Sequence, residues 1–289
     1  MPEPLITLIA GPTASGKSRF ALEWAERTGA VIINADSQQL YADLRVLSAR
    51  PTAEDEARAE HHLYGVADAA TAWSVGRWSR AVMPLLDDLV ANRRPALLVG
   101  GTGLYFHALT RGLAEIPAIA DSVRAEAGAL YDSIGEGRVR MRLREADPVS
   151  EAAIAIGDRQ RLVRALAVFT ATGRALSAWR QDTRPLLAQG RWQAVVIEPP
   201  RDRLYAACDA RAAWMIDHGA LDEVRALVDR RLDPALPALK AVGVRELTAH
   251  LAGESTLAEA VAAIQQATRN YAKRQMTWFR NQTPDWPRR

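Results

Sequence analysis

Short apolar runs alternate with amphipathic segments through the N-terminal part of the chain. Residues 5–10 form an apolar run with β-branched side chains and predict a buried strand, as do residues 30–34. Between them, residues 18–28 repeat apolar side chains at helical spacing and end before Gly29, which can cap a helix in a left-handed conformation. Strands that alternate with helices predict a parallel sheet.

The same alternation returns later in the chain and is interrupted by one segment without strand character. Residues 73–92 predict a helix and residues 95–99 a strand, whereas residues 116–179 contain only helical patterns. Residues 193–198 restore a strand, and helices are predicted over 203–218, 220–231 and 257–280. The predicted fold class is α/β, a parallel sheet flanked by helices, with a helical insertion and C-terminal helices. We expect a first core segment (1–115), the insertion (116–185) and the rest of the core with the C-terminal helices (186–289).

Composition excludes several classes of protein. Of the 289 residues, 48% are hydrophobic and 25% are charged, which argues against a disordered or fibrous chain. No apolar run is long enough to cross a bilayer and no basic region precedes the N-terminal apolar run, so we expect neither a membrane partner nor a secretory leader. The single cysteine, Cys208, is expected to be a semi-buried helical residue; it cannot form an internal disulfide, which favours the cytoplasm. The net charge of +3 does not by itself indicate a nucleic-acid partner.

Residues 11–18 read GPTASGKS and match the P-loop pattern G-x-x-x-x-G-K-[ST] between a predicted strand and a predicted helix. In a P-loop, backbone N–H groups and the positive end of the helix surround a di- or triphosphate, and a lysine adds charge. Lys17 is that lysine here, and the Ser18 hydroxyl is placed to hold Mg²⁺. The predicted phosphate-binding residues are Gly11, Pro12, Thr13, Ala14, Ser15, Gly16, Lys17 and Ser18. A plain glycine-rich turn is the disfavoured alternative.

A carboxylate follows the second predicted strand. The strand at 95–99 ends without an acid, whereas the segment VIINADSQQLY at 31–41 places Asp36 just past a strand. Ligands of open α/β sheets bind at the carboxyl ends of the strands, so Asp36 is predicted to lie near the P-loop, as is Thr102 after residues 95–99. Asp36 can act as a general base in group transfer or as the N-cap of a helix, and the residues alone leave the two interpretations even.

Five segments together resemble the tRNA dimethylallyltransferase family in order and spacing. They are GPTASGKS at 11–18, NADSQQLY at 34–41, VGGTGLYFHAL at 99–109, GDRQRLVRAL at 157–166 and TRNYAKRQMTWFRNQ at 268–282. The family transfers a dimethylallyl group from dimethylallyl diphosphate to N6 of the adenosine on the 3′ side of the tRNA anticodon. The resemblance therefore implies that the P-loop binds a prenyl diphosphate with Mg²⁺ and that the partner is the tRNA anticodon loop. We expect the protein to act as a monomer.

The resemblance also implies roles for individual residues. Asp36 matches the family's general base, Thr13 a hydroxyl near the reacting groups, and Lys17 the cation that stabilises the departing diphosphate. Arg211 matches an arginine that contacts the diphosphate. The residues matched to substrate contacts, chiefly with tRNA, are Asp36, Ser37, Gln38, Gln39, Thr102, Arg124, Gln160, Arg161, Leu162, Val163 and Arg164. Without the resemblance, residues 160–164 would be interpreted as a solvated helix face.

Basic residues cluster near the C-terminus, and this stripe suits phosphate contacts. It consists of Arg269, Lys273, Arg274, Arg280, Arg288 and Arg289, against the one acid Asp285. Lys273 and Arg274 are its predicted tRNA-binding residues. Tyr271, Trp278 and Phe279 interleave with the stripe, but their helical spacing favours core positions over base stacking.

One segment departs from the family pattern. Where relatives commonly have a Gly-Thr-Ala-Lys run, this chain reads VLSARP at 46–51, and the sequence leaves open whether Arg50 replaces the lysine. The adjacent pair His61 and His62 lacks the spacing of metal ligands and is interpreted as structural.

Two functions of other classes compete with prenyl transfer. An ATP-dependent small-molecule kinase would use the same P-loop and the same acid after the second strand. A non-catalytic RNA-binding module would leave the P-loop without a role.

Overall fold

The computed structural model describes residues 5–289 as a five-stranded sheet with helices on both faces and a compact helical unit. The strands are β1 (Ile6–Ala10), β2 (Val31–Asn34), β3 (His61–His62), β4 (Ala96–Gly100) and β5 (Trp192–Val196). The helices are α1 (Lys17–Thr28), α2 (Ala53–Arg58), α3 (Val75–Ala91), α4 (Gly103–Thr110), α5 (Asp121–Ala146), α6 (Pro148–Ala153), α7 (Arg159–Thr172), α8 (Leu176–Gln181), α9 (Arg201–Asp217), α10 (Ala220–Asp229), α11 (Val244–Leu251) and α12 (Leu257–Gln282), with a 3-10 helix at Pro237–Lys240.

The sheet has the strand order β3-β2-β4-β1-β5, and all its paired strands are parallel. Every residue of β1, β2 and β4 is buried, as expected where helices cover both faces. The predicted α/β fold class is confirmed. In the register, Ala10 aligns with Gly100 and Asn34 with Val99, so these three strands end at one edge of the sheet. The P-loop and the segments that carry Asp36 and Thr102 all leave from that edge.

Helices cover the sheet with apolar side chains on each side. On one face, Ala25 of α1 belongs to the same buried cluster as Ile9. On the other face, Leu8 packs in a cluster that includes Trp78 of α3 and Phe279 of α12, both no more than 1% exposed. Burying side chains of this size contributes about 1.5–3 kcal/mol each. This packing fixes α1 and α12, which carry Lys17 and Gln275 beside the P-loop.

The chain forms two compact units, one comprising the residues up to Thr110 with Leu187–Arg289, and the other Arg111–Leu186. The first contains the whole sheet. The second, which we call the helical unit, contains α5 to α8 and has its own apolar core around Val139 and Leu143.

Element boundaries differ slightly from the sequence pattern. α1 begins at Lys17, one residue earlier than predicted, after Gly16 at its N-cap. Gly29 ends α1 in the left-handed conformation at φ 68°, as predicted. α3 begins only after Ser74, whose side chain accepts a hydrogen bond from the first turn. Strand β3 was not predicted, because a strand of two residues is too short to show an alternation of apolar and polar side chains.

The two histidines of β3 make local contacts. His61 Nδ1 lies 2.8 Å from the carbonyl oxygen of Ala59, and His62 Nε2 lies 2.7 Å from Glu60 Oε1. Within residues 5–289, no three side chains of the metal-ligating types come together in a group that could hold a metal ion. In the same part of the chain, every helix is too short or too polar to span a lipid bilayer.

Candidate active site

The P-loop leaves β1 and enters the first turn of α1. The first N–H groups of a helix have no partner within it and carry its positive dipole end. Ser15 Oγ is buried and has no hydrogen-bond partner in residues 5–289. Lys17 is only 8% exposed, and its Nζ donates to the carbonyl of Pro12 at 3.2 Å. The loop therefore offers several uncommitted donors in one place, which suits an anion with several oxygens.

Two cations lie beside the loop, Lys17 buried and Arg211 part-buried. Arg211 of α9 donates a hydrogen bond to Thr13 Oγ1. Burial lowers the pKa of Lys17 from 10.5 to about 8; the nearby Asp36 carboxylate opposes this shift and Arg211 adds to it. Burial also lowers the pKa of Arg211. Neither cation forms an ion pair with a carboxylate in residues 5–289. Buried charges are normally paired, so this pair of cations indicates a site for an anionic ligand.

Asp36 lies in the turn that follows β2. Its backbone N–H donates to Asn34 Oδ1 at 2.7 Å, and its Oδ1 accepts from the N–H of Gln38 at 3.0 Å. No helix begins there, so the interpretation of Asp36 as a helix N-cap is wrong; its carboxylate closes a local turn instead. Asp36 is 8% exposed and lines the same pocket as Lys17 and Arg211.

Thr102 holds the Asp36 turn in place. Its hydroxyl oxygen accepts from the N–H of Ser37 at 2.9 Å and donates to Ser37 Oγ at 3.2 Å. The Tyr271 side chain of α12 also lines the pocket. Tyr271 is therefore a pocket residue, which corrects its assignment to the core, whereas Phe279 is buried as predicted.

Gln275 joins the P-loop to the end of β4, and the sequence did not single it out. Its Oε1 accepts from the N–H of Thr13 at 2.8 Å, and its Nε2 donates to the carbonyl of Gly101 at 2.9 Å. A Cβ at Gly101 would come within 2.1 Å of Gln275 Nε2, so only glycine allows this approach. The sequence feature that could have indicated Gln275 is its position as a polar residue on the apolar face of α12, between Ala272 and Phe279.

The pocket has a polar side and an apolar side. Thr13, Lys17, Asp36 and Arg211 belong to the polar side. The apolar lining residues are Leu47, Ala212, Met215, Val242 and Ile264. Cys208 also lines the pocket and is fully buried on α9, which corrects the expectation of a semi-buried residue.

Of the predicted tRNA contacts near Asp36, Gln38 and Gln39 line the pocket. The Gln39 amide nitrogen donates to the carbonyls of Ser48 and Ala49 at 3.0 and 2.6 Å, so this nitrogen is already engaged within the protein. Arg50 does not line the pocket; its guanidinium donates to the carbonyls of Tyr41 and Ala42 at 3.1 and 3.2 Å. These two bonds engage Arg50 within the protein, and whether it replaces a lysine contact stays open.

A second group of predicted tRNA residues lies in the helical unit. Gln160, Arg161 and Arg164 are exposed on α7. Arg124 of α5 pairs with Asp121 at 2.9 Å and keeps half of its side chain exposed. Two neighbours on α7 differ, since Leu162 is fully buried in the core of the unit and Val163 packs against that core. The Leu162 side chain cannot contact RNA, which corrects that assignment.

The basic stripe is smaller than its sequence suggests. Arg269 pairs with Asp209 of α9, and Arg280 and Arg288 pair with Glu198 at 3.0 and 3.2 Å. The sequence count missed these two acids because they lie far from the stripe along the chain. Arg289 lies over the ring of Phe20 at 4.8 Å. Lys273, Arg274 and Arg289 are the members that remain exposed and form no ion pair in the described part of the chain, and Arg274 lies over the ring of Tyr271 at 5.7 Å.

Comparisons with known proteins address the same regions. The family model described as IPP transferase matches residues 39–282, and the model described as isopentenyl transferase matches residues 4–64. A tRNA dimethylallyltransferase of a Caulobacter species is 58% identical over 288 residues, which covers 100% of this chain and 93% of the relative. Another, from Phenylobacterium zucineum, is 59% identical over 286 residues and covers 99% and 92%. The solved tRNA isopentenylpyrophosphate transferase of Bacillus halodurans is 30% identical, with a TM-score of 0.69 and coverage of 98% of this chain and 89% of that chain.

The match of the family model extends over most of the chain, from the turn after Asp36 to the end of α12. The relatives agree with this chain over nearly its full length and nearly their own. On this evidence the chain belongs to the IPP transferase family, together with the tRNA dimethylallyltransferases that it resembles in sequence.

Proposed function

We propose that this protein transfers a dimethylallyl group from dimethylallyl diphosphate to N6 of the adenosine on the 3′ side of the anticodon in tRNA. The composition of one pocket carries the proposal: Lys17 and Arg211 suit a diphosphate, Asp36 suits a proton acceptor, and an apolar wall suits a hydrocarbon. The names of the relatives support the same activity.

The reaction requires one bond to form and one to break. The N6 lone pair of adenine forms a bond to C1 of the dimethylallyl group, while the bond from C1 to the diphosphate oxygen breaks and its electron pair leaves with diphosphate. An exocyclic adenine amine is a poor nucleophile, so Asp36 accepts the N6 proton as general base. Lys17, Arg211 and the N–H groups of the P-loop stabilise the negative charge that develops on the diphosphate. Thr13, which hydrogen bonds with Arg211 and Gln275 hold in place, lines the same pocket, and we propose that its hydroxyl lies near the reacting groups.

Mg²⁺ fits this site as an ion shared with the diphosphate. The ion usually keeps several waters and takes one or two protein ligands together with phosphate oxygens. The Ser18 hydroxyl, exposed in the first turn of α1, would hold it. When bound, Mg²⁺ would neutralise part of the diphosphate charge.

The acceptor must bring a single base to a buried carboxylate. Asp36 is only 8% exposed, so the adenine has to leave its stack, which costs least in a single-stranded loop such as the anticodon loop. We propose that the Gln38 side chain, which lines the pocket, contacts that base, and that the exposed Lys273 and Arg274 contact backbone phosphates. In the helical unit, Arg124, Gln160, Arg161 and Arg164 are the candidates for further tRNA contacts. We also propose that the protein acts as a monomer in the cytoplasm, where its tRNA substrate is found.

A direct transfer assay tests the proposal. The protein, Mg²⁺, labelled dimethylallyl diphosphate and an unmodified anticodon stem-loop should yield labelled RNA and one diphosphate per label. Omission of Mg²⁺ should slow transfer, and a stem-loop with guanosine in place of the target adenosine should receive no label. Unlabelled RNA after incubation with folded protein would contradict the proposal. Transfer of the γ-phosphate from ATP to an acceptor would support the kinase instead, and RNA binding without any transfer would support a binding module.

A further inference from the structure

We propose that Glu223 is a positioning residue for the apolar side of the pocket. From α10 it fixes the turn at residues 45–49, and Leu47 and Ser48 of that turn form part of the pocket wall. Glu223 itself does not line the pocket. The identity of the hydrocarbon that lies against this wall rests on the proposed function.

The Glu223 carboxylate accepts three backbone hydrogen bonds from one turn. Oε1 accepts from the N–H groups of Arg45 and Val46 at 2.9 and 2.7 Å, and Oε2 accepts from the N–H of Leu47 at 3.0 Å. Bonds from a backbone N–H to a charged acceptor are roughly twice as strong as neutral ones. Arg45 and Glu223 are 178 positions apart in the sequence, so the turn depends on the tertiary packing of α10.

The opposite side of the turn is held as well. The Gln39 amide nitrogen donates to the carbonyls of Ser48 and Ala49. Ala49 has φ 53°, in the left-handed region, which costs a non-glycine residue about 1–2 kcal/mol. A turn that contains such a residue requires bonds from outside, and Glu223 supplies them on the N–H side while Gln39 supplies them on the carbonyl side.

Leu47 transmits this restraint to the pocket. It packs against Gly243, at the start of α11, so closely that a Cβ there would lie 2.7 Å from Leu47 Cδ1. Gly243 also has φ 98°, which disfavours any other residue. Leu47 therefore has no room to retreat toward α11, and its position limits how deep a hydrocarbon can reach beside Met215 and Ile264. A loosened turn should weaken the grip on a five-carbon donor and admit a longer one.

The test compares Glu223→Gln with the neighbouring control Asp222→Asn, whose carboxylate pairs with Arg225 on the exposed surface of α10. Steady-state rates are measured with dimethylallyl diphosphate and with geranyl diphosphate. In Glu223→Gln we expect the KM for the five-carbon donor to rise at least about fivefold with little change in kcat, and its kcat/KM advantage over the ten-carbon donor to fall at least about tenfold. The Asp222→Asn enzyme should match the wild type in both.

A double-mutant cycle tests whether Glu223 changes the donor preference through Leu47 of the pocket wall. In a Leu47→Ala background, Glu223→Gln should change the donor preference no further, because the side chain through which it acts is gone. Equal effects of Glu223→Gln in both backgrounds would overturn the proposal. So would a uniform loss of activity with unchanged KM and donor preference, because a purely structural residue lowers only the amount of active enzyme.

Amide hydrogen exchange separates this inference from the proposed function. The N–H groups of Arg45, Val46 and Leu47 should exchange at least about tenfold faster in Glu223→Gln than in the wild type or in Asp222→Asn. Unchanged exchange would overturn the positioning role. If the wild-type protein transferred no prenyl group, the proposed function would fail, and the exchange rates would still decide whether Glu223 holds the turn.

Discussion

Two buried aspartates, one in the helical unit and one beside the P-loop, show how differently this chain uses the same side chain. Asp147 is 1% exposed, and its carboxylate accepts from the N–H of Ser150 at 3.0 Å and from the N–H and hydroxyl of Ser177 at 3.0 and 2.6 Å. Asp36 is 8% exposed, and its carboxylate accepts one bond within residues 5–289, from Gln38. A carboxylate whose acceptors are filled holds structure, whereas one with open acceptors in a pocket is available to a substrate.

The cations of the two regions differ in the same way. Arg140 in the helical unit bonds Glu136 at 2.8 Å and Glu151 at 3.2 Å. Lys17 is buried and Arg211 is part-buried, and within residues 5–289 their hydrogen-bond partners are a carbonyl and a hydroxyl. The contrast separates charges that stabilise the fold from charges that await a ligand.

The largest effect is expected from a substitution of Asp36, the aspartate with open acceptors. The Asp36→Asn variant keeps the shape of the side chain but removes the carboxylate that accepts the N6 proton. Turnover should therefore fall at least about a hundredfold, while the affinity for diphosphate stays close to that of the wild type. Single-turnover rates and calorimetric titration with diphosphate measure the two quantities. A near-normal rate would remove Asp36 from proton transfer.

Lys17→Met tests the unpaired cation. Loss of a charged donor to diphosphate should weaken binding by roughly fiftyfold at pH 7. Burial lowers the pKa of Lys17 to about 8, and a bound anion should raise it again, so wild-type binding should take up protons above about pH 8. Calorimetry in buffers of different ionisation enthalpy detects that proton uptake. The uptake should be absent in the Lys17→Met variant. Equal uptake in both proteins would assign it to another group.

The lowered pKa of Lys17 also predicts how the free energy of unfolding changes with pH. Between about pH 8 and pH 10.5 the unfolded chain holds the Lys17 proton more tightly than the folded protein does. The free energy of unfolding of the ligand-free wild type should therefore rise with pH across this window, relative to Lys17→Met. A parallel pH dependence in the two proteins would contradict the buried, unpaired state of Lys17.

Sequence reasoning reached the parts of this site that depend on local pattern. The P-loop follows from eight consecutive residues, and the position of Asp36 follows from the rule that parallel strands end at one edge. Gln275 and Glu223 act on segments far away in the sequence, so no local pattern shows their partners. The ion pairs that reduce the basic stripe were missed for the same reason. The resemblance to a family supplied the prenyl donor, because the residues alone indicated only a di- or triphosphate.

Asp147→Ala addresses the structural side of the comparison. Three lost hydrogen bonds should lower the free energy of unfolding by about 2 kcal/mol, while diphosphate affinity of the folded protein is unchanged. Burial raises the pKa of Asp147, but the bonds from Ser150 and Ser177 outweigh it and hold that pKa below its usual value. The stabilisation should therefore be present at neutral pH and lost as the pH falls below about 4. Denaturant titrations at pH 7 and pH 3 measure this, and an equal loss at both would contradict it.

The smallest expected effect concerns exposed cations. Replacing Lys273 and Arg274 together with alanine should weaken tRNA binding and reduce its dependence on the logarithm of salt concentration by about 1.4, as for two lost phosphate contacts. Arg159→Ala is the matched control, because Arg159 pairs with Asp132 at 2.6 Å in the helical unit. A salt dependence that stays unchanged in the double variant would make Lys273 and Arg274 surface residues without a role in RNA binding.

The most direct test of the central claim is a crystal structure of the protein with an anticodon stem-loop and a thiolodiphosphate analogue of the donor that cannot react. We expect the diphosphate on the P-loop between Lys17 and Arg211, with an extruded adenine whose N6 lies within hydrogen-bond distance of the Asp36 carboxylate. A diphosphate bound away from Lys17, or an adenine N6 out of reach of Asp36, would contradict the account.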